Sequence, residues 1–394
     1  MPNVFDYLEW RGDLTLEDAP LNEVDALIFC MLSYVDLDGI VPQNPRDKGM
    51  TLRAAAAEYW FTHDTSATRP LGFILPADVL ILFRRMAKCA RYKDLLLTGY
   101  QNRLCEQRDM QFAALTVRLP RDGMFVAFRG TDDSIVGWRE DFNLSHMDAI
   151  PSQTQAVAYL NALDLTPETV LSVGGHSKGG NLAVWGSVHA SESVKRRMRE
   201  VFCFDGPGFS DGTIRSRAYR DMADRIRVFM PDNSLVGLLL DHDDRYTVVR
   251  SSRRGLAQHD GLSWEVLGSG FDYADQLSKR SLHTDAVIKE RLQSMSFDER
   301  RELVRLMFLL LEATGAKTLS ELYSGKYRGI LCMLKAYRDM PAEERRLAAY
   351  LWNKLFSGKS GKQREGSTPC RSVRREEKAR VDGIRISLFP LFLP

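Results

Sequence analysis

Apolar residues recur at helical spacing through the first hundred residues of the chain. The stretch LNEVDALIFCMLSY, residues 21–34, has this periodicity, and Asn22 is a candidate N-cap with acidic residues in the first turn after it. Residues 52–61 and 77–89 show the same pattern. The spacing therefore predicts a mostly helical N-terminal region, which we place at residues 1–105.

The pattern changes to strands beyond residue 110. FAALTVRL (112–119) and MFVAF (124–128) are strand-like, and the PRDG turn between them predicts a hairpin. The elements predicted after the hairpin are a helix at 154–163, a strand at 170–173, a helix at 181–190, and strands at 201–204 and 226–230. Alternating strands and helices indicate an α/β architecture with a largely parallel sheet flanked by helices.

The strand pattern ends near residue 284. Three amphipathic segments follow, and capping signals at Ser296 and Pro341 support helices there. We therefore predict three parts: an α/β domain at 1–283, a helical C-terminal extension at 284–356 and a tail at 357–394.

The tail is polar and basic between residues 357 and 380, which predicts disorder, because such a segment has little apolar surface to bury. Solvation is the simpler explanation of its charge, and partner binding is the alternative. The final ISLFPLFLP is apolar again, and either docking on the protein body or binding to a partner would explain it.

Composition narrows the classes of function. The chain has 394 residues, 44% of them hydrophobic, and a net charge of +2, so no overall field recruits nucleic acid or a membrane surface. The longest apolar runs are too short to insert stably in a bilayer, and the N-terminus has no basic-then-apolar signal, which predicts a cytoplasmic protein. The six cysteines are scattered without metal-ligand spacing, so we expect reduced thiols and neither a metal nor a cofactor.

The segment VLSVGGHSKGGNLAVW, residues 170–185, contains the strongest chemical signal. Gly175, Ser177 and Gly179 match G-x-S-x-G, with a predicted strand before the motif and a helix after it. This strand–turn–helix context is that of a nucleophile elbow, which needs small flanking residues where the backbones cross. Ser177 is therefore the candidate nucleophile, and an ordinary serine in a glycine-rich turn is the alternative.

A second motif, VAFRGTDDSIVGWREDF at 126–142, follows the predicted hairpin. An oxyanion intermediate needs two hydrogen-bond donors, one of them the backbone N–H after the nucleophile, here Lys178. Thr131 is the candidate for the other, through its N–H or its hydroxyl. The alternative is a simple strand exit in which Asp132 caps the next segment.

These two motifs resemble those of the class 3 (fungal-type) lipases, which carry F-R-G-[ST], W-x-x-D and G-H-S-x-G-G. The opening NVFDYLEWRGD and the later NEVD resemble a bacterial group of lipase-like α/β hydrolases that begin with N-x-x-D-Y-x-x-W-R-G-D. The first resemblance covers about residues 110–265, and the second nearly the whole chain. Together they imply an α/β-hydrolase fold with Ser177 as nucleophile and Thr131 as oxyanion donor.

The general base should follow Ser177 along the chain. His189 lies within the elbow helix, too far along its axis to return to the serine, which leaves His242, His259 and His283. We favour His259, which lies in a polar loop before a tryptophan-containing segment, where the bacterial group also has its histidine.

The acid should follow a strand between the serine and the histidine. We predict Asp232, two residues beyond the strand at 226–230, with Asp205 second and Asp241 third. Overlay on the lipase D-x-V-P motif places Ser234, rather than Asp232, on the lipase aspartate.

The predicted protein is a serine hydrolase of the esterase or lipase type, which acts on a small acyl ester. Lipases usually have an apolar residue after the nucleophile, whereas Lys178 stands there in this chain. Its cation would favour an acidic substrate, unless it is solvated or paired with an acid. The alternative function is a catalytically silent hydrolase scaffold whose C-terminal helices bind a protein partner.

Overall fold

The computed structural model describes residues 1–63, 78–243 and 245–356. The predicted tail at 357–394 lies outside the described residues. The helices are α1 Val4–Arg11, α2 Glu23–Leu32, α3 Leu52–Thr62, α4 Asp78–Met86, α5 Ile135–Asn143, α6 Pro151–Asn161, α7 Lys178–His189, α8 Glu192–Lys195, α9 Asp211–Ile214, α10 Arg217–Met222, α11 Lys279–Gln293, α12 Phe297–Glu312, α13 Leu319–Ser324, α14 Lys326–Asp339 and α15 Ala342–Phe356.

The strands are β1 Met50–Thr51, β2 Leu96–Cys105, β3 Met110–Arg118, β4 Gly123–Phe128, β5 Val170–His176, β6 Met198–Phe204, β7 Ile226–Pro231, β8 Tyr246–Val249, β9 Val266–Leu267, β10 Gly270–Phe271 and β11 Tyr273–Ala274. Nine of them form one sheet in the order β1-β2-β3-β4-β5-β6-β7-β8-β11. Neighbours from β4 to β8 are parallel, and the remaining pairs are antiparallel. The predicted α/β-hydrolase-like fold, a mixed sheet with a parallel centre and helices on both faces, is confirmed.

Helix α2 confirms the helix predicted at 21–34 and lies in the protein core. Every residue of the helix is buried, and the helix packs against β4, β5 and β6 on one face of the sheet. Asn22 caps it as predicted, since its side chain accepts hydrogen bonds from the Val24 and Asp25 amides. The opposite face of the sheet is covered by α6, α7 and α10.

Strand β2 corrects the prediction of a mostly helical region up to residue 105. It pairs antiparallel with β3, and its ladder is interrupted between Thr98 and Gln101. Its last five residues are partly or fully exposed and mostly polar. This half of the strand lacks the apolar alternation by which a strand is recognised in a sequence.

The strand register brings three chain segments to one edge of the sheet. Phe128 at the end of β4 pairs with Gly175 of β5, and His176 at the end of β5 pairs with Phe204 at the end of β6. Because these strands are parallel, their carboxyl ends meet at the same edge, where open α/β sheets bind ligands.

The C-terminal helices pack on the main body through α5. Phe308 of α12 is buried with Ile135 and contacts the Phe142 ring at a centroid distance of 5.7 Å. The chain before α13 also hydrogen bonds the segment before α5, with Ile135 N donating to Lys317 O (3.0 Å) and Leu319 N to Asp133 O (2.9 Å). The three helices predicted in this region are present as α11, α12 and α15, and the first begins at Lys279, before the predicted boundary at 284. The structure adds α13 and α14, which the sequence analysis did not predict.

No helix in the described ranges combines the length and the hydropathy needed to cross a membrane.

Candidate active site

Ser177 lies in the turn between β5 and α7 with φ 58° and ψ −134°. A positive φ is costly for a residue with a side chain, and such strain is typical of a nucleophile elbow. A methyl group at Gly175 would overlap the Gly179 carbonyl, and one at Gly179 would overlap the Phe128 carbonyl. Both predicted elbow glycines are therefore required by close backbone contacts.

Thr131 lies beside the elbow. A methyl group on the preceding Gly130 would be 3.0 Å from Ser177 Cβ, so the two segments are in contact. The Thr131 hydroxyl donates to Asp141 Oδ2 (2.5 Å). Burial raises the pKa of Asp141 to about 6, against the lowering effects of the Lys178 cation and the Thr131 hydrogen bond.

Lys178 is the first residue of α7, so its backbone N–H has no partner within the helix. Its side chain is fully buried and donates to Gln111 O (2.9 Å), Gln111 Oε1 (2.6 Å) and Glu140 Oε2 (2.9 Å). All three ammonium hydrogens therefore have acceptors. The structure contradicts the idea that this cation favours an acidic substrate and agrees with the acid-paired alternative.

His259 ends a short 3₁₀ helix, Gly255–His259, and its Nδ1 lies 2.6 Å from Asp205 Oδ2. Asp205 follows β6 directly, has a φ of 49° and is fully buried. Its other oxygen, Oδ1, accepts from Ser234 Oγ (2.5 Å) and from Gly237 N (3.0 Å). Asp205 thus has the contacts expected of a carboxylate that orients an imidazole.

The prediction that Asp232 contacts His259 is wrong. Asp232 continues the backbone pairing of β7, with its N–H donating to Val249 O (3.1 Å), and its side chain accepts from Asn233 Nδ2 (2.9 Å). The prediction placed the acid after β7, whereas the aspartate that bonds His259 follows the preceding strand, β6. The loop after β7 instead supplies Ser234, the residue that overlay placed on the lipase aspartate, as a hydrogen-bond donor to Asp205.

The other histidines lie in different surroundings. His189 is exposed at the end of α7 and bonds Trp185 O, and His283 is exposed on α11. Burial, and secondly the Lys289 cation, lower the pKa of His242 to about 4, and its Nε2 has no hydrogen-bond partner within the described chain.

His259 also lies close to the elbow through its neighbour His176, since their ring centroids are 4.6 Å apart. No hydrogen bond joins His259 Nε2 to Ser177 Oγ in the part of the chain that the structure describes. The structure therefore brings Ser177, Thr131 and the His259–Asp205 pair to one edge of the sheet, and their roles stay predictions.

Two residues near Ser177 contact the site without a sequence signal for that contact. His176 is part of the elbow motif, but nothing local indicates what its side chain contacts. Tyr34 hydrogen bonds His176 from 142 positions away in the chain, so no sequence pattern links the two.

A strained serine between a parallel strand and a helix, in a sheet of this topology, defines an α/β-hydrolase-like protein. The chain belongs to the Mbeg1-like family, whose model matches residues 86–309. That match runs from the end of α4 into α12 and includes Ser177, Asp205 and His259.

A solved structure described as M37 lipase is similar to this chain at 16% identity and a TM-score of 0.32. The similarity covers 55% of this chain and 70% of the other. No curated protein matches the chain.

Proposed function

We propose that the protein is a serine hydrolase of the esterase or lipase type that cleaves a small acyl ester. The observation that carries this proposal is the buried His259–Asp205 hydrogen bond of 2.6 Å at the same sheet edge as the strained Ser177. A histidine held by a carboxylate beside an elbow serine is the arrangement that activates a hydroxyl nucleophile.

In the proposed reaction, Ser177 Oγ attacks the acyl carbon while His259 Nε2 takes the hydroxyl proton. The C–O bond to the leaving alcohol then breaks, and His259 returns the proton to that alcohol. Water attacks the acyl-serine through the same base, which releases the acid and restores Ser177. Asp205 accepts from Nδ1–H throughout and stabilises the imidazolium.

The oxyanion donors are proposed to be the backbone N–H groups of Lys178 and Thr131. The Thr131 hydroxyl has one hydrogen, and it is already donated to Asp141, so the hydroxyl fixes the segment and the amide is left for the substrate. The Lys178 cation is neutralised by Glu140, which favours an uncharged ester over an acidic one.

A fluorophosphonate probe and short p-nitrophenyl esters test the proposal. We expect the wild-type protein to react with both, and Ser177→Ala to lose both reactions while staying folded. Ser193→Ala, an exposed serine on α8, is the matched control and should behave as wild type. A folded wild-type protein that reacts with neither reagent would favour the silent scaffold instead.

A further inference from the structure

Tyr34 and His176 are buried side chains that lie where the proposed catalytic segments meet. His176 ends β5 directly before Ser177, and Tyr34 follows α2 by two residues. Their ring centroids are 6.1 Å apart, and the His176 ring is 4.6 Å from that of His259. Neither residue touches the reacting atoms in the mechanism proposed above.

The hydrogen bonds of His176 define which ring nitrogen carries its proton. Nε2 lies 2.6 Å from the backbone oxygen of His259, and a carbonyl oxygen can only accept. Nε2 must therefore carry a hydrogen. Nδ1 lies 3.1 Å from the Tyr34 hydroxyl, which can donate to it when the imidazole is neutral.

Burial keeps His176 neutral. Burial first, and the neighbouring His259 imidazole second, lower the pKa of His176 to about 3. Burial also raises the pKa of Tyr34 well above its usual value, so the phenol keeps its hydrogen. In the neutral imidazole, Nε2 donates to the His259 carbonyl and Nδ1 accepts from the Tyr34 hydroxyl. Rotation of the ring would therefore leave a buried polar group unpaired.

The Tyr34 hydroxyl also lies against the oxyanion segment. A methyl group at Gly130 would overlap this hydroxyl, so Gly130 packs directly on it, one residue before Thr131. One phenol therefore contacts both the segment that carries the proposed oxyanion donor and the imidazole that bonds the His259 backbone.

We propose that His176 is a positioning residue for His259, and that Tyr34 couples His176 to the oxyanion segment at Gly130. Asp205 holds the His259 ring through Nδ1, and His176 holds its main chain through the carbonyl. The catalytic meaning of this inference rests on the proposed function.

Kinetics with p-nitrophenyl butyrate test the inference, with active sites counted by fluorophosphonate labelling. Tyr34→Phe and His176→Leu should lower kcat per labelled site by about 10- to 100-fold with little change in KM, because misplacement of a catalytic group acts on the chemical step. His176→Gln can still donate to the His259 carbonyl and should recover part of the loss.

Tyr159→Phe is the matched control, since it removes another buried hydroxyl, one that donates to Gly99 O (2.7 Å) away from the site. It should lower the melting temperature without changing kcat per labelled site. Wild-type kcat in both Tyr34→Phe and His176→Leu, each folded, would overturn the inference.

Histidine nitrogen NMR separates this inference from the proposed function, because it needs no activity. Long-range ¹H–¹⁵N spectra should show His176 as the neutral Nε2–H tautomer from pH 5 to 8, and should show a changed His259 signal in His176→Leu. A wild-type protein inert to the probe would remove the proposed function but leave this measurement decisive. An Nδ1–H tautomer at His176, or an unchanged His259 signal, would overturn the inference.

Discussion

Two buried charged clusters flank Ser177, and they differ in what they leave available. The Asp205 cluster comprises Asp205, His259, Ser234 and Gly237, and the Lys178 cluster comprises Lys178, Glu140 and Gln111. The Lys178 cluster uses all its ammonium hydrogens internally. The Asp205 cluster ends in an imidazole whose Nε2 has no hydrogen bond within the described residues. The comparison indicates that a buried charged cluster beside Ser177 is available for chemistry only where one of its atoms keeps no hydrogen-bond partner among the described residues, as His259 Nε2 does and the Lys178 ammonium does not.

Removal of the Asp205 charge should have the largest effect on catalysis. We expect Asp205→Asn to lower kcat by about 10⁴-fold with little change in KM, because an amide no longer fixes the His259 tautomer or stabilises its cation. Steady-state hydrolysis of p-nitrophenyl butyrate measures this. Asp232→Asn is the matched control and should stay within about threefold of wild type. A collapse of the Asp232 variant alone would contradict the assignment.

Disruption of the Lys178 cluster should lower the free energy of unfolding rather than the catalytic rate. Glu140→Gln keeps the side-chain shape but leaves the buried Lys178 cation without its counter-charge, which typically costs about 3–5 kcal/mol. Urea unfolding followed by circular dichroism measures the loss, and kcat per labelled site should change little. A variant as stable as wild type, with an altered preference for charged esters, would show that Lys178 faces substrate after all.

His176, which contacts His259 of the Asp205 cluster, should make the stability of the protein depend on pH. The pKa of His176 in the folded state is about 3, below the usual 6.5, so the unfolded chain binds the proton more tightly. The wild-type protein should therefore lose stability as the pH falls through 6.5. His176→Gln lacks this group, so its deficit relative to wild type should shrink by about 2 kcal/mol between pH 7 and pH 5.

The urea midpoints of both proteins at pH 7, 6 and 5 give this difference. Asp141 works in the opposite direction, because its pKa is raised to about 6, but it is present in both proteins and cancels. A deficit that is constant with pH would mean that folding does not lower the pKa of His176, and a deficit that grows as the pH falls would mean that folding raises it.

Ser234 should have the smallest effect of the four. Ser234→Ala removes one hydrogen bond to the Asp205 carboxylate, which retains the Gly237 amide and His259. A hydrogen bond to a charged group is worth about 1.5 kcal/mol, so we expect a loss of about tenfold in kcat. A loss as large as that of Asp205→Asn would mean that the serine, and not the carboxylate charge, holds His259 in place.

Local signals in the sequence predicted the elbow turn, the hairpin and the cap of α2, because each depends on residues a few positions apart. The acid could not be chosen in this way. Asp205 and Asp232 each follow an apolar strand, and nothing local to either position indicates that the Asp205 carboxylate lies 2.6 Å from His259 Nδ1. The pairing of Lys178 with Glu140 and the contact of Tyr34 with His176 join positions 38 and 142 residues apart, which no periodicity encodes.

The hydrogen bonds between residues 133–135 and residues 317–319 affect the order in which parts of the chain can fold during synthesis. Ser177, Asp205 and His259 are all synthesised well before residue 317. The segment just after Thr131, however, forms hydrogen bonds with residues 317–319, almost two hundred positions later in the chain. Domains generally fold as units during synthesis, the N-terminal one first, so we expect the α/β domain to form its sheet and its histidine–aspartate pair before the C-terminal helices are complete. The bonds at residues 133–135 can form only after residue 319 has been translated, so a chain interrupted before that point would lack one of the supports of the segment next to Thr131.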